Sequence, residues 1–226
     1  MVINMGIFDN LFMSVQEKAI KEITKKKPQT LMHTSTVFPD KINVIRPTYN
    51  KSLNINSVFA TDDNKLALLY ALQPFFSFRF GKDKKDIGVI LIGNYHDLLK
   101  LDSKIAYTYF VDSNSFNPVV EKDGYYENEW ITLNEVSIRK DIQPRKVMFN
   151  DVLRAGIQVF WASNMQTLSE MDKEMVDNNI VNGEQKLEYL MNQTNWKPDK
   201  VIYINRFRNI CPAKQVNGEY VIDYNK

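Results

Sequence analysis

A chain of 226 residues that is 44% hydrophobic and 12% aromatic has enough apolar material to bury a substantial core, which excludes a disordered polymer. Its 29 basic and 27 acidic residues leave a formal charge of +2, so no large field announces a nucleic-acid binder. A single cysteine, Cys211, excludes an internal disulfide and has no companion at zinc-ligand spacing, which points to a reducing, cytoplasmic setting.

The first residues mix apolar positions with Asn4, Asp9 and Asn10 and lack the basic start and cleavage site of a signal peptide, so they read as mature protein. Ser14 and Glu17 form a capping box for a helix carrying Val15, Ala19, Ile20 and Ile23, which Lys25-Lys26-Lys27-Pro28 brings to an end. Residues 1–28 are therefore expected to hold an N-terminal helix. Thr30-Leu31-Met32-His33-Thr34-Ser35 reads as a strand, and 42–49 as a connection interrupted by Pro47. A second strand at 57–61 runs through Asp62 or Asp63, as cap, into a buried helix at 65–72.

Residues 75–80 are aromatic-rich, and the apolar run Ile87-Gly88-Val89-Ile90-Leu91-Ile92 is a buried strand, far below the roughly 20 residues a bilayer requires. His96, in Asn94-Tyr95-His96-Asp97, sits in an expected turn, and 105–112 alternates as a strong strand. Strand-like material follows at 124–133, 146–149 and 157–161. Helices are expected at 150–155, 168–176 and 184–191, and strands at 201–204 and 220–222, with Asn217-Gly218 as a turn. The order is α+β, with too little βαβ alternation for a doubly wound sheet. The expected division is a core at 29–163 and a C-terminal extension at 164–226 packed on it.

No G-x-x-x-x-G-K-[ST] and no G-x-G-x-x-G occurs, which removes the phosphate loop and the dinucleotide fingerprint. Two histidines and one cysteine are too few for His-Glu-x-x-His proteases or zinc deaminases, and no metal site is expected. Three short segments remain: Leu31-Met32-His33-Thr34-Ser35; Val58-Phe59-Ala60-Thr61-Asp62 with Lys65, Ala67 and Tyr70; and Asn128-Glu129-Trp130-Ile131-Thr132.

In order and spacing these segments resemble the histidine, tyrosine and glutamate motifs of the ADP-ribosyltransferases, in the branch of diphtheria toxin and the poly(ADP-ribose) polymerases. The resemblance covers about half the chain. It implies a split β-sandwich flanked by helices, and transfer of ADP-ribose from NAD to a protein or nucleic acid by a toxin-like or phage or bacterial effector. By that resemblance Glu129 is the catalytic carboxylate, and His33, Thr34, Ser35, Phe59 and Tyr70 bind the cofactor. A neutralising protein partner would accompany such a toxin. The chain departs from the family's pattern at Thr34, where glycine is usual, at Val58, where an aromatic is usual, and at Leu66, where serine is usual. Tyr70 stands one position beyond the stacking tyrosine.

A carboxylate against the ribose would stabilise the oxocarbenium-like charge that develops as the nicotinamide bond breaks. Glu127 lies two residues before Glu129, the spacing with which the arginine-modifying branch adds an acceptor-orienting carboxylate, and an extended strand would aim both to one side. Tyr126 would join Glu127 in acceptor recognition. Two other readings stay open: a tRNA 2'-phosphotransferase-like enzyme holding phosphate through Arg46, Lys65 and Arg79, and a relative that binds a partner without catalysis.

Overall fold

The computed structural model describes residues 24, 26–50, 54–74, 76–121, 124–204, 213–216 and 219–222. Of the expected N-terminal helix, residues 1–23 and Lys25 lie outside them, as do Cys211, Asn217 and Gly218. The architecture is mixed α+β. In chain order come β1 (Thr30–Ser35), β2 (Val44–Ile45), β3 (Thr48–Asn50), β4 (Ile55–Thr61), α1 (Asn64–Leu72), β5 (Phe76–Phe80), β6 (Asp86–Ile92), α2 (Tyr95–Lys100) and β7 (Ile105–Asp112). They are followed by β8 (Asn117–Glu121), β9 (Gly124–Thr132), β10 (Val136–Ser137), β11 (Arg145–Met148), α3 (Phe149–Arg154), β12 (Gln158–Ala162), α4 (Met165–Asp177), α5 (Gly183–Trp196), β13 (Val201–Ile204), β14 (Ala213–Val216) and β15 (Glu219–Ile222).

Two compact units form, and neither is continuous in sequence. The first takes the described residues up to Ala67 together with Tyr107–Arg145; the second takes Leu68–Ala106 and the described residues from Lys146 onward. The expected division at 163/164 is thus replaced. That boundary would separate β12 from β13, its partner in one sheet, and strand pairing of this range leaves no local mark in a sequence.

The first unit is an antiparallel sheet in the order β7-β1-β4-β9-β8, with β3 also paired to β4. The alternation read in β7 has its partner in β1, which pairs along its whole length from Thr30↔Asp112 to Ser35↔Tyr107. One face of the sheet carries Leu31, Tyr109, Val111, Val58, Ala60 and Trp130, packed with Ile45, Phe116 and Val136 into one core. The expected connection at 42–49 contains two short strands on either side of Arg46-Pro47, β2 pairing with β10 and β3 with β4. Strands of two or three residues carry no readable periodicity, which is why the sequence shows only the proline. Asp63 caps α1: its Oδ1 accepts from the backbone N–H groups of Lys65 and Leu66 at 2.7 and 3.4 Å.

The second unit is built on a sheet of order β13-β12-β6-β5, in which β6 and β12 run parallel and the outer pairs are antiparallel. Leu168, Met171 and Met175 recur at helical spacing on α4 and pack with Leu190 of α5 against Phe78, Ile90 and Phe160. Each helix start has its cap: Asn164 Oδ1 accepts from Thr167 N–H, and Asn182 and Gln185 form a capping box on α5. The turn expected around His96 is instead the start of α2, where Asn94 and Asp97 cap each other's backbone. Beyond β13, β14 and β15 pair as a hairpin from Ala213↔Ile222 to Val216↔Glu219.

Candidate functional site

The three motif segments, far apart in sequence, lie on three neighbouring strands of the first unit. His33 is on β1, Phe59 on β4 and Glu129 on β9, and β4 is hydrogen-bonded to both of the others. β1 and β4 share a single residue pair, Met32↔Thr61, so the two strands part next to His33. The imidazole takes over there: His33 Nδ1 is 2.7 Å from the carbonyl oxygen of Phe59. A carbonyl only accepts, so Nδ1 carries the proton and Nε2 of the neutral ring keeps its lone pair. Burial lowers the His33 pKa below the ordinary histidine value, against the opposing pull of that carbonyl, so the ring is neutral near pH 7.

Tyr109, directly across β7 from His33, is fully buried and donates its hydroxyl to the carbonyl of Val37. Burial, together with the neighbouring Tyr107, pushes its phenol pKa up to about 12. This lets Tyr109 hold the chain beyond β1 as a neutral donor. Thr34 is turned to the other side of β1. Its hydroxyl donates to the carbonyl of Ala67 at 2.8 Å and lies 3.1 Å from the hydroxyl of Thr108, so it ties β1 to the start of α1. Ser35 Oγ accepts from the backbone N–H of Val37 at 3.2 Å.

Around Glu129 the strand is irregular. Pro118 pairs with Trp130 and Val120 with Tyr125, so Val119 alone faces residues 126–129 of β9. Asn128, inside this bulge, adopts φ 66, a left-handed conformation that asparagine tolerates better than most residues. Thr61 fastens the bulge: its hydroxyl donates to the carbonyl of Asn128 at 2.6 Å and accepts from Asp63 N–H at 3.0 Å. Trp130 donates from its indole to Asp62 Oδ1 at 3.2 Å. The importance of Thr61 was not read from the sequence, although Thr61-Asp62-Asp63 at a strand end is the signal that could have shown it.

The register also sets which cross-strand rows these residues occupy. Thr61↔Glu129 and Met32↔Thr61 place Glu129 in one cross-strand row with Met32, whereas His33 stands in the adjacent row with Tyr109. Successive residues of a strand point to opposite faces, so His33 and Glu129 do not share a face of the sheet. The Glu127-Asn128-Glu129 spacing does not guarantee a common side either, because the bulge and the left-handed Asn128 interrupt the alternation on which that expectation rests. Glu127 and Tyr126 are on the described backbone of β9; their side chains lie outside the described residues.

Phe59 contributes its carbonyl to His33, and its side chain row contains Ile131. Val58 is 1% exposed, within the core, and Leu66 is buried on α1. Tyr70 also stands on α1 but belongs to the second unit. Among the described residues no group of three or more His, Cys, Asp or Glu is arranged to hold a metal ion, and no helix is long and apolar enough to cross a membrane. Comparison of the chain with protein-family models, curated proteins and solved structures finds no match.

Proposed function

We propose that the chain is an ADP-ribosyltransferase that moves ADP-ribose from NAD to a macromolecular acceptor. The observation that carries this reading is the convergence of the His33, Phe59 and Glu129 segments on adjacent strands beside the place where β1 and β4 part. A gap between strands opens to both faces of a sheet, so a ligand lying in it can meet residues from alternate rows. β1 and β9 are about 10 Å apart across β4, two inter-strand spacings, which a ribose and a glutamate side chain together span.

His33 supplies the acceptor for a ribose hydroxyl, because the Phe59 carbonyl fixes its tautomer with Nε2 unprotonated. Glu129 stabilises the positive charge at the anomeric carbon as the bond to nicotinamide breaks and its electron pair leaves with the neutral base. The acceptor nucleophile then bonds to that carbon and loses its proton to water. By the same reading, Glu127 and Tyr126 of β9 recognise the acceptor.

A second reading, a fold relative that binds a partner without transfer, is favoured by Thr34. Its hydroxyl is committed to Ala67, in the place where glycine would leave room for the nicotinamide amide. The phosphotransferase reading has less support: Arg46 pairs with Glu135 at 3.5 Å on the surface, and Arg79 belongs to the second unit.

Labelled NAD incubated with the protein and a cell extract, followed by protease or nuclease digestion, tests the proposal. Label in a macromolecule that is lost in Glu129→Gln is expected, and the digestion names the acceptor class. Absence of label together with absence of NAD binding by calorimetry overturns the proposal in favour of the second reading. Loss of the 2'-phosphate from a synthetic RNA, with its transfer to the NAD supplied, would select the phosphotransferase instead.

A further inference from the structure

The second unit contains a cavity of about 400 Å³ that the NAD reading does not use. It opens where the parallel strands β6 and β12 end, with Leu91 and Trp161 among its lining residues. The carboxyl edge of parallel strands is the usual place for ligands in sheets of this kind, and the volume falls in the range of small-molecule pockets. Its floor is set in advance: Trp161 is 4% exposed, and its indole N–H donates to the carbonyl of Gly93 at 3.0 Å, which fixes the ring. Leu101, also buried, continues the apolar surface.

The polar part of the lining holds two lysines beside Gln73, Ser103 and Asp97. Lys100 comes from the last turn of α2, and Lys104 from just before β7. Lys104 is half-buried, and its ammonium has three N–H groups. Among the described residues its one hydrogen bond is to the carbonyl of Leu72 at 3.1 Å. A partly desolvated ammonium with one neutral protein acceptor has room for an anionic partner, and its partial burial lowers its pKa. Asp97 also lines the cavity, but Asn94 N–H engages its Oδ2 at 3.2 Å in the cap of α2. Two ammonium groups against one capping carboxylate leave the lining net positive.

We propose that this cavity binds a small organic anion, with its phosphate or carboxylate between Lys104 and Lys100 and its apolar or planar body on Leu91, Leu101 and Trp161. The apolar floor selects an organic body over a bare ion, and the anion's oxygens accept the hydrogen bonds that Lys104 has still to make.

The test uses the full ¹⁵N-labelled chain in physiological salt, with the indole resonance of Trp161 assigned through Trp161→Phe. Adenosine monophosphate and phenylacetate are titrated in turn, beside adenosine, phenylacetamide and inorganic phosphate. A saturable shift of the Trp161 signal with one or both organic anions is expected, and the one that binds identifies the anionic group. Lys104→Met should weaken that binding by about tenfold or more, as should removal of the ligand's charge in the neutral analogue. If Lys104→Met does not fold, Lys100→Met, altered at an exposed position, and the neutral analogues carry the comparison. No saturable shift with either anion overturns the proposal. So does equal binding by the lysine variants, or a response to inorganic phosphate alone.

Discussion

Replacing Gly183 by alanine should destabilise the second unit, although the same change at the start of an ordinary helix is favourable by up to about 1 kcal/mol. A Cβ at Gly183 would lie 1.7 Å from the carbonyl oxygen of Arg79 and 2.9 Å from Cβ of Phe80, whereas real Cβ contacts do not fall below 3.0 Å. The start of α5 or that carbonyl would have to move by at least 1.3 Å, the difference between 3.0 and 1.7 Å. Arg79 is held by its pairing with Ile87, so α5 is the element that gives way. Lifting it strains the bond from Gly81 N–H to Glu184 Oε1, now 2.9 Å. Overpacking of this kind costs about 1–3 kcal/mol, and a weakened hydrogen bond adds about 1 kcal/mol, which together exceed the gain in helix propensity. The net loss of about 1–3 kcal/mol should lower the melting temperature by roughly 2–12 °C in a protein of this size. Urea unfolding followed by far-ultraviolet circular dichroism measures it. Gly156→Ala is the control for the reverse case: its φ of 79 is unfavourable to alanine, but nothing lies within 4 Å of the added carbon, so only backbone strain of about 1–2 kcal/mol is expected. A Gly183→Ala variant as stable as the parent would refute the reasoning.

His33 should make stability depend on pH. Its folded pKa lies below 6.5, so the unfolded chain binds the extra proton first; the full contribution is present above 6.5 and falls away as pH drops through the folded pKa. An imidazole titration by NMR should place the midpoint below 6.5, and His33→Gln should flatten that part of the stability–pH curve. Glu174 gives the second case. The Tyr189 hydroxyl at 2.6 Å and the Lys197 ammonium at 3.2 Å hold its carboxyl below 4.5, the hydroxyl contributing most. Its contribution is present above pH 4.5 and is lost as pH falls through the folded value. Because the side chain is 42% exposed, Glu174→Gln should cost no more than about 1 kcal/mol, and Tyr189→Phe should raise the Glu174 pKa in a carboxyl NMR titration.

What the sequence showed was set by how local each signal is. β1 and β7 were readable because alternation and β-branched or aromatic residues accompany one buried face. α1 was readable from its apolar run and the adjacent aspartates, of which Asp63 is the cap. The start of α2 was hidden because Asn94-Tyr95-His96-Asp97 uses the same polar side chains that make turns. At the candidate site the three segments were visible in the sequence, and the structure puts them on neighbouring strands. The row that Glu129 occupies was not, because it follows from its pairing with Thr61 of β4, a partner 68 residues away in the chain. Likewise nothing in Lys100 or Lys104 as letters distinguishes a cavity lining from a solvated surface. Only the half-burial of Lys104 beside the Leu72 carbonyl does so.

The parallel pairing of β6 with β12 has a consequence for the order in which the chain can assemble. Gly88 meets Gln158 across that pair, and all of β7, β8 and β9 lies between them in sequence. Closing a loop of that length carries an entropic cost of about 4 kcal/mol beyond a constant, so the pair is a poor nucleus. During synthesis the first unit has all its residues once Arg145 has emerged, while β5 and β6 still wait for β12 with their apolar faces uncovered. The interval between those two events is when this protein is most exposed to aggregation and has most to gain from a chaperone that covers the 76–92 hairpin.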